Sequence, residues 1–247
     1  MKDMKLNRRQ IIAGSALIGA ATAANTAVAR EYNGGVPWQP RDADAPQSVQ
    51  GTGYVFFTPE EALFVEAAVA RLIPRDELGG GAIEAGVPFF IDRQLAGEFG
   101  RAQRWYMLGP WADGDPNQGY QSRMVPAQMY RAAIREIDAH CRSTYSNRNF
   151  AALTADEQDK ILHGVEKGDV KLTDAPGPVF FELFLSNSTE GFFSDPIYGG
   201  NRDMIGWKLI GFPGAHYDYR PYVAKHGEKL NIPPVGIKGR PGWTPQG

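Results

Sequence analysis

The sequence predicts a mainly helical protein: a single domain of about five helices, with an extended leader before it and a long irregular arm after it. Three observations predict this. Apolar residues recur at three- and four-residue spacing in several segments. Two of those segments open on a threonine followed three residues later by glutamate, the pattern of a capping box. No stretch alternates convincingly with a period of two, and no internal repeat recurs at a fixed period. The 247 residues suit one domain with extensions, and 43% hydrophobic content is enough for a real core.

Residues 1–29 read as a targeting segment and are set aside from the fold. A polar start leads to Arg8 and Arg9, then to a mild Ala/Gly-rich apolar run, and closes on Ala27–Val28–Ala29. The paired arginines match a twin-arginine export signal, and the small residues Ala27 and Ala29 match a signal-peptidase site. The apolar run falls short of the roughly 18–20 strongly apolar residues that span a bilayer. Residues 30–57 carry Gly, Pro, Gln and Asp without an apolar period and read as an extended leader.

The helical domain is expected over 58–211. Thr58 as N-cap, Pro59 at the first helical position and Glu61 closing the box start the first helix, which Pro74 ends. Gly79–Gly80–Gly81 reads as a flexible break. A second helix is expected over Ala85–Phe99, with Val87, Phe90, Ile91 and Leu95 on one face. Leu108–Gln121 reads as a loop. A third helix runs from Pro126 to Thr144 on the stripe Tyr130, Ile134, Ile137, Cys141. Thr154 and Glu157 open a fourth, with Ile161, Leu162 and Val165 facing inward. Gly177–Pro178 introduces a fifth, Val179–Asn187, apolar on nearly every side, so it is buried centrally or against another subunit. Residues 191–211 form a loop, and 212–247 an arm. From Gly211 onward seven glycines and six prolines preclude regular helices, yet Tyr217, Tyr219, Tyr222, Ile232, Val235, Ile237 and Trp243 are interspersed. That mixture fits an extended arm laid on a partner better than a free tail.

Charge and cysteine usage exclude several classes. Without residues 1–29 the chain has 22 basic and 27 acidic residues, about −5 net, and offers no basic face for nucleic acid. The single cysteine, Cys141, allows no intramolecular disulfide, no Cys-rich metal site and no C-x-x-C-H haem attachment. Its place on a core stripe makes it a buried inert thiol by default. His140, His163, His216 and His226 lack ligand spacing. His216, beside Tyr217 and Tyr219, could serve acid/base work, although a contact role suits a Gly/Pro-rich arm better. Glu182, Glu190, Asp195 and Asp203 could meet in space or could simply cap helices and loops. Phosphate-binding and nucleophile-elbow glycine motifs are missing.

The densest feature is Gly191–Gly214, with six glycines, two prolines and five aromatic residues in twenty-four positions. Glycines let backbone reach positive φ or approach closely, and aromatics give contact area at low entropic cost. The stretch reads as a surface moulded to fit something. Phe192, Phe193, Tyr198, Asn201, Trp207 and Phe212, with Tyr217 and Tyr219 of the arm, are its candidate contact residues, although the aromatics could equally face the chain's own core.

The run Gly191–Phe192–Phe193–Ser194–Asp195–Pro196–Ile197–Tyr198–Gly199–Gly200–Asn201–Arg202–Asp203, followed by Gly206–Trp207–Lys208–Leu209–Ile210–Gly211–Phe212–Pro213–Gly214, resembles the gluconate 2-dehydrogenase subunit 3 (gamma chain) family. Leu72–Ile73–Pro74, Gly86–Val87–Pro88 with Phe90–Ile91–Asp92, and Gln118–Gly119–Tyr120–Gln121 add to it. The resemblance implies a small subunit, not catalytic by itself, of a membrane-associated, flavin-dependent sugar or sugar-acid dehydrogenase. In such complexes a large subunit holds FAD and oxidises the substrate, and a multihaem cytochrome c subunit passes electrons to quinone. An iron–sulfur cluster is a further candidate, again in another subunit. The small subunit supplies the export signal, so its partners would include the twin-arginine translocase. Its place would be the periplasm, at the inner membrane only through the complex. A stand-alone periplasmic enzyme and a sugar-binding module are the competing readings.

Overall fold

The computed structural model describes residues 53–237, apart from 113, 116, 117, 217 and 231. Among these residues the chain is helical, with no strand and two isolated bridges. Six α-helices follow in order: α1 Pro59–Leu72, α2 Val87–Ala96, α3 Pro126–Thr144, α4 Ala155–Lys167, α5 Gly177–Phe193 and α6 Ile205–Ile210. Short 3-10 turns lie at Phe150–Ala152, Pro196–Tyr198, Arg202–Met204 and Arg220–Tyr222.

Local chemistry sets the starts. Thr58 caps α1 and Thr154 caps α4 through complete capping boxes with Glu61 and Glu157, and Pro59 occupies the first turn of α1. Val125 before α3 has no side-chain oxygen, so Gln128 satisfies its N–H instead at 3.2 Å. Helix α2 is shorter than its apolar pattern suggests because Gly86, at φ +74, and Gly97 bracket it. Helix α5 runs six residues beyond Asn187. Ser188 Oγ and Thr189 Oγ1 donate to the carbonyls of Phe184 and Leu185, at 2.7 and 2.9 Å, so the polar residues continue the helix. Gly79–Gly81 belongs to a hydrogen-bonded turn in which Asp76 Oδ1 accepts from Leu78 and Gly79.

Helix α5 is the central element, packing on each of the other five helices. Its inner face contributes Phe180, Phe184 and Phe192, all 2% exposed or less. Tyr130 of α3 meets Phe180 edge-on at 5.4 Å, while Phe64 of α1 lies 4.7 Å from Phe150. Burying each of these rings contributes about 1.5–3 kcal/mol. The outer face of α5 is open, with Leu185 41% and Phe193 36% exposed.

Polar groups in the core tie elements together. Asp92 of α2, fully buried, accepts from the N–H groups of Val55, Phe56 and Phe57 at 2.9 Å each, which fastens the segment ahead of α1 onto α2. Tyr130 Oη donates to Asn187 Oδ1 at 2.8 Å, joining α3 to α5, and burial holds its phenol well above the usual range. Asp138 accepts from Phe150 N–H at 2.9 Å, and Gln158 donates to the same residue's carbonyl. Cys141 is free and buried, its thiol pushed up to about 12 mainly by that burial, so it stays protonated and unreactive.

Candidate functional site

The stretch between α5 and the arm is shaped by its backbone. Asn201, Asp203 and Met204 adopt left-handed conformations at φ +45, +53 and +55, around Arg202 at the start of its 3-10 turn. Outside glycine this costs roughly 1–2 kcal/mol per residue, least for Asn and Asp. Asn201 offsets part of that. Fully buried, it donates from Nδ2 to the Ser194 carbonyl and accepts at Oδ1 from Gly206 N–H, both at 2.8 Å. One side chain thus clamps the end of α5 to the start of α6.

Two glycines make the clamp possible by close approach. A Cβ on Gly200 would lie 2.2 Å from the Gly191 carbonyl oxygen, and one on Gly206 2.2 Å from that of Phe192. Real Cβ atoms do not reach such separations, so any side chain here would push the backbones apart. Trp207 completes the base: 5% exposed, it donates from Nε1 to the Phe193 carbonyl at 2.7 Å and packs edge-on against Phe212. The sequence predicts a loop where this helix lies, because its six residues include Gly206 and end at Gly211.

The arm returns to this base. Gly214 and Val235 form a parallel bridge, with Ala215 N–H donating to the Val235 carbonyl at 2.7 Å and Val235 N–H to that of Pro213 at 3.1 Å. Val235 is buried, and Asp195 accepts from Ile237 N–H at 2.6 Å. A part of the arm expected to lie on a partner therefore docks on its own domain. His216 is engaged there too, its Nε2 3.1 Å from the Pro233 carbonyl.

The candidate contact residues separate into two groups. Phe192, Asn201 and Trp207 are interior residues, so they have no surface to offer a partner and act from inside as supports. Phe193, Tyr198, Phe212 and Tyr219 are 36–53% exposed. Leu209 and Ile210, on the same short helix as Trp207, and Ile237 of the arm are exposed as well. Arg8, Arg9, Ala27, Ala29 and Tyr217 lie outside the described residues.

Two of the four candidate carboxylates are engaged within the chain. Asp195 is committed to the N–H groups of Ile197 and Ile237, and Glu190 accepts from Ser186 and Asn187. Among the described residues no group of three or more His, Cys, Asp or Glu is placed to hold a metal ion. His140 and His163 line an open groove of about 530 Å³ beside Lys160 and Lys167, away from this region.

Arg202 is different from every group so far. Its N–H donates to the Ala85 carbonyl at 2.9 Å, and its guanidinium lies over the Phe89 ring at 4.4 Å. Nε is buried without a hydrogen-bond partner, which costs on the order of 1–3 kcal/mol. A stacked, partly desolvated guanidinium recovers about 0.5–2 kcal/mol. Asp92, by contrast, had a sequence signal: it follows Pro88 and precedes Leu95 on the core face of α2, where a carboxylate must find donors.

The family model of gluconate 2-dehydrogenase subunit 3 matches residues 59–214, well over half of the chain. The chain belongs to that family. Its match begins at the first residue of α1 and ends at Gly214, where the arm docks, so the gluconate 2-dehydrogenase subunit 3 region coincides with the helical domain and the clamp. Membership makes the chain a subunit of a gluconate 2-dehydrogenase type of oxidoreductase complex. No curated protein and no solved structure matches the chain. No helix among the described residues is long and apolar enough to cross a membrane.

Proposed function

We propose that this chain is the non-catalytic small subunit of a periplasmic, membrane-associated, FAD-dependent dehydrogenase of the gluconate 2-dehydrogenase type. It supports the twin-arginine export, folding and assembly of the flavin subunit. FAD, haem c and any iron–sulfur cluster belong to the other subunits. The observation that carries this reading is the set of exposed apolar side chains, Phe193, Leu209, Ile210 and Phe212, in the segment that the buried Trp207 anchors. The base beneath it is rigid, and its polar groups are consumed in holding it. Exposed apolar surface on such a base suits a docking partner, because little order remains to be lost on binding.

The contact set accordingly narrows to Phe193, Tyr198, Phe212 and Tyr219, with Phe192, Asn201 and Trp207 as their supports. The experiment is co-expression of the flavin subunit with this chain or without it, followed by cell fractionation. Flavin-dependent activity should reach the periplasm only when the small subunit is present. Replacing Arg8 and Arg9 together by lysine should strand both proteins in the cytoplasm. An active flavin subunit in the periplasm of cells lacking this chain would sink the reading.

A further inference from the structure

We propose that Arg202 is the receptor for a carboxylate borne by the partner chain, an Asp or Glu side chain of the flavin subunit. The resulting ion pair fixes where the small subunit sits on it. This inference rests on the assembly reading above.

The first argument is the absence of a counter-charge. Arg71, Arg131, Arg135, Arg148 and Arg220 each hold a carboxylate of this chain at 2.7–2.9 Å. Among the described residues the Arg202 guanidinium makes neither an ion pair nor a hydrogen bond, and its Nε is a buried donor with no acceptor. The neighbouring charges do not serve it. Asp92 is fully buried and spent on three backbone N–H groups and on Arg93. Arg93 also lies over Phe89, at 5.6 Å, so two cations share one ring while only Arg93 reaches the carboxylate. Tyr54, stacked on the same ring at 4.8 Å, is held neutral by burial, then by its hydrogen bond to Glu66.

The second argument is preorganisation. An unused surface arginine is ordinarily mobile, whereas this one is seated. Its head lies flat on Phe89, and Gly86 backs it so closely that a Cβ there would stand 2.7 Å from Nε and 3.1 Å from Cζ. The left-handed residues on either side, Asn201 and Asp203, set its backbone. With Nε buried against Gly86, the two terminal NH2 groups of the planar fork are the parallel donors that match a carboxylate, at reduced entropic cost. The net negative charge of the chain disfavours an extended polyanion such as nucleic acid, but not a single carboxylate. Tyr198, 53% exposed and four residues earlier in the chain, adds an exposed aromatic ring of the kind enriched at interfaces.

The test uses the co-expressed pair, with the small subunit tagged. Arg202→Met keeps the length and the contact with Phe89 but removes fork and charge. It should weaken retention of the flavin subunit on the order of tenfold, and Arg202→Glu should weaken it further. The melting temperature of the isolated Met variant should match or exceed that of wild type. Arg202→Lys, a point charge without the fork, should be intermediate. Wild-type retention should fall with added salt more steeply than that of the Met variant. A folded Met variant that retains the partner like wild type overturns the proposal. So does wild-type retention indifferent to salt, a measurement that needs no variant. Acetate titrated into the isolated small subunit separates the two sources of a carboxylate. If acetate raises the melting temperature of wild type alone while Met leaves retention intact, the site takes a free carboxylate and the proposal is wrong. If the wild-type pair does not co-purify at all, the assembly reading fails and this one with it.

Discussion

The helical bundle and the clamp between α5 and α6 are held together by opposite means. In the bundle, side-chain volume does the work: Phe64, Phe150, Phe180 and Phe184 fill the space that helical spacing brings together. In the clamp the decisive feature is missing volume. Gly200 and Gly206 let carbonyls approach within distances no Cβ tolerates, and one buried asparagine bridges what they allow to meet. A bundle of this kind forgives changes of shape that conserve volume. A clamp of this kind forgives none at its glycines, because backbone cannot step aside as a side chain can.

The largest effect that tests this contrast is Phe184→Ala. Removing a fully buried ring at the centre of α5 should destabilise the domain by about 3–5 kcal/mol in urea unfolding. Phe184→Leu should recover most of it. Gly206→Ala adds one methyl group and should still cost on the order of 1–3 kcal/mol. Its further signature should be exposure of Trp207, read as a red shift in tryptophan emission before global unfolding. If Gly206→Ala melts like wild type with unchanged emission, the clamp is softer than its contacts imply.

The smallest effect is a pH dependence confined to the bundle. Glu157 is held down to about 2, first by its hydrogen bond from Arg148 and then by Thr154 N–H. A carboxylate lowered on folding stabilises the protein above its ordinary value near 4.5 and loses that contribution as pH falls through about 2. Wild type should therefore lose stability across that acid window, and Glu157→Gln should show a flatter profile there. Equal slopes for the two proteins would mean that the pair contributes nothing.

What could be read in the sequence follows the same division. The starts of α1, α3 and α4 were legible because Thr58, Pro59, Pro126, Thr154 and their glutamate or glutamine partners act within one turn. The end of α5 was not, since Ser188 and Thr189 look like terminators until their hydroxyls are seen to bond back along the helix. Helix α6 is too short, with Gly206 inside it and Gly211 at its end, to leave a periodic signal. The split of the aromatics was also hidden: Phe192 and Phe193 are adjacent in sequence, yet about 100° apart around a helix, so one is core and the other surface. The docking of Val235 on Gly214 joins residues far apart in sequence and carries no local signal. The family resemblance, resting on the long Gly/Asn/Arg/Asp run, was legible throughout.

The return of the arm has a practical consequence. Because Gly214 and Val235 are joined, the residues between them form a handle fixed at both ends. Lys225, His226 and Gly227 at its middle are exposed, and Gly227 turns the chain at φ +70. Lengthening a tethered segment is inexpensive, with each doubling adding about 0.6 kcal/mol. An affinity tag or fluorophore inserted after His226 should leave the melting temperature essentially unchanged. The handle is therefore a place from which to pull, label or immobilise this subunit without loosening its helical domain.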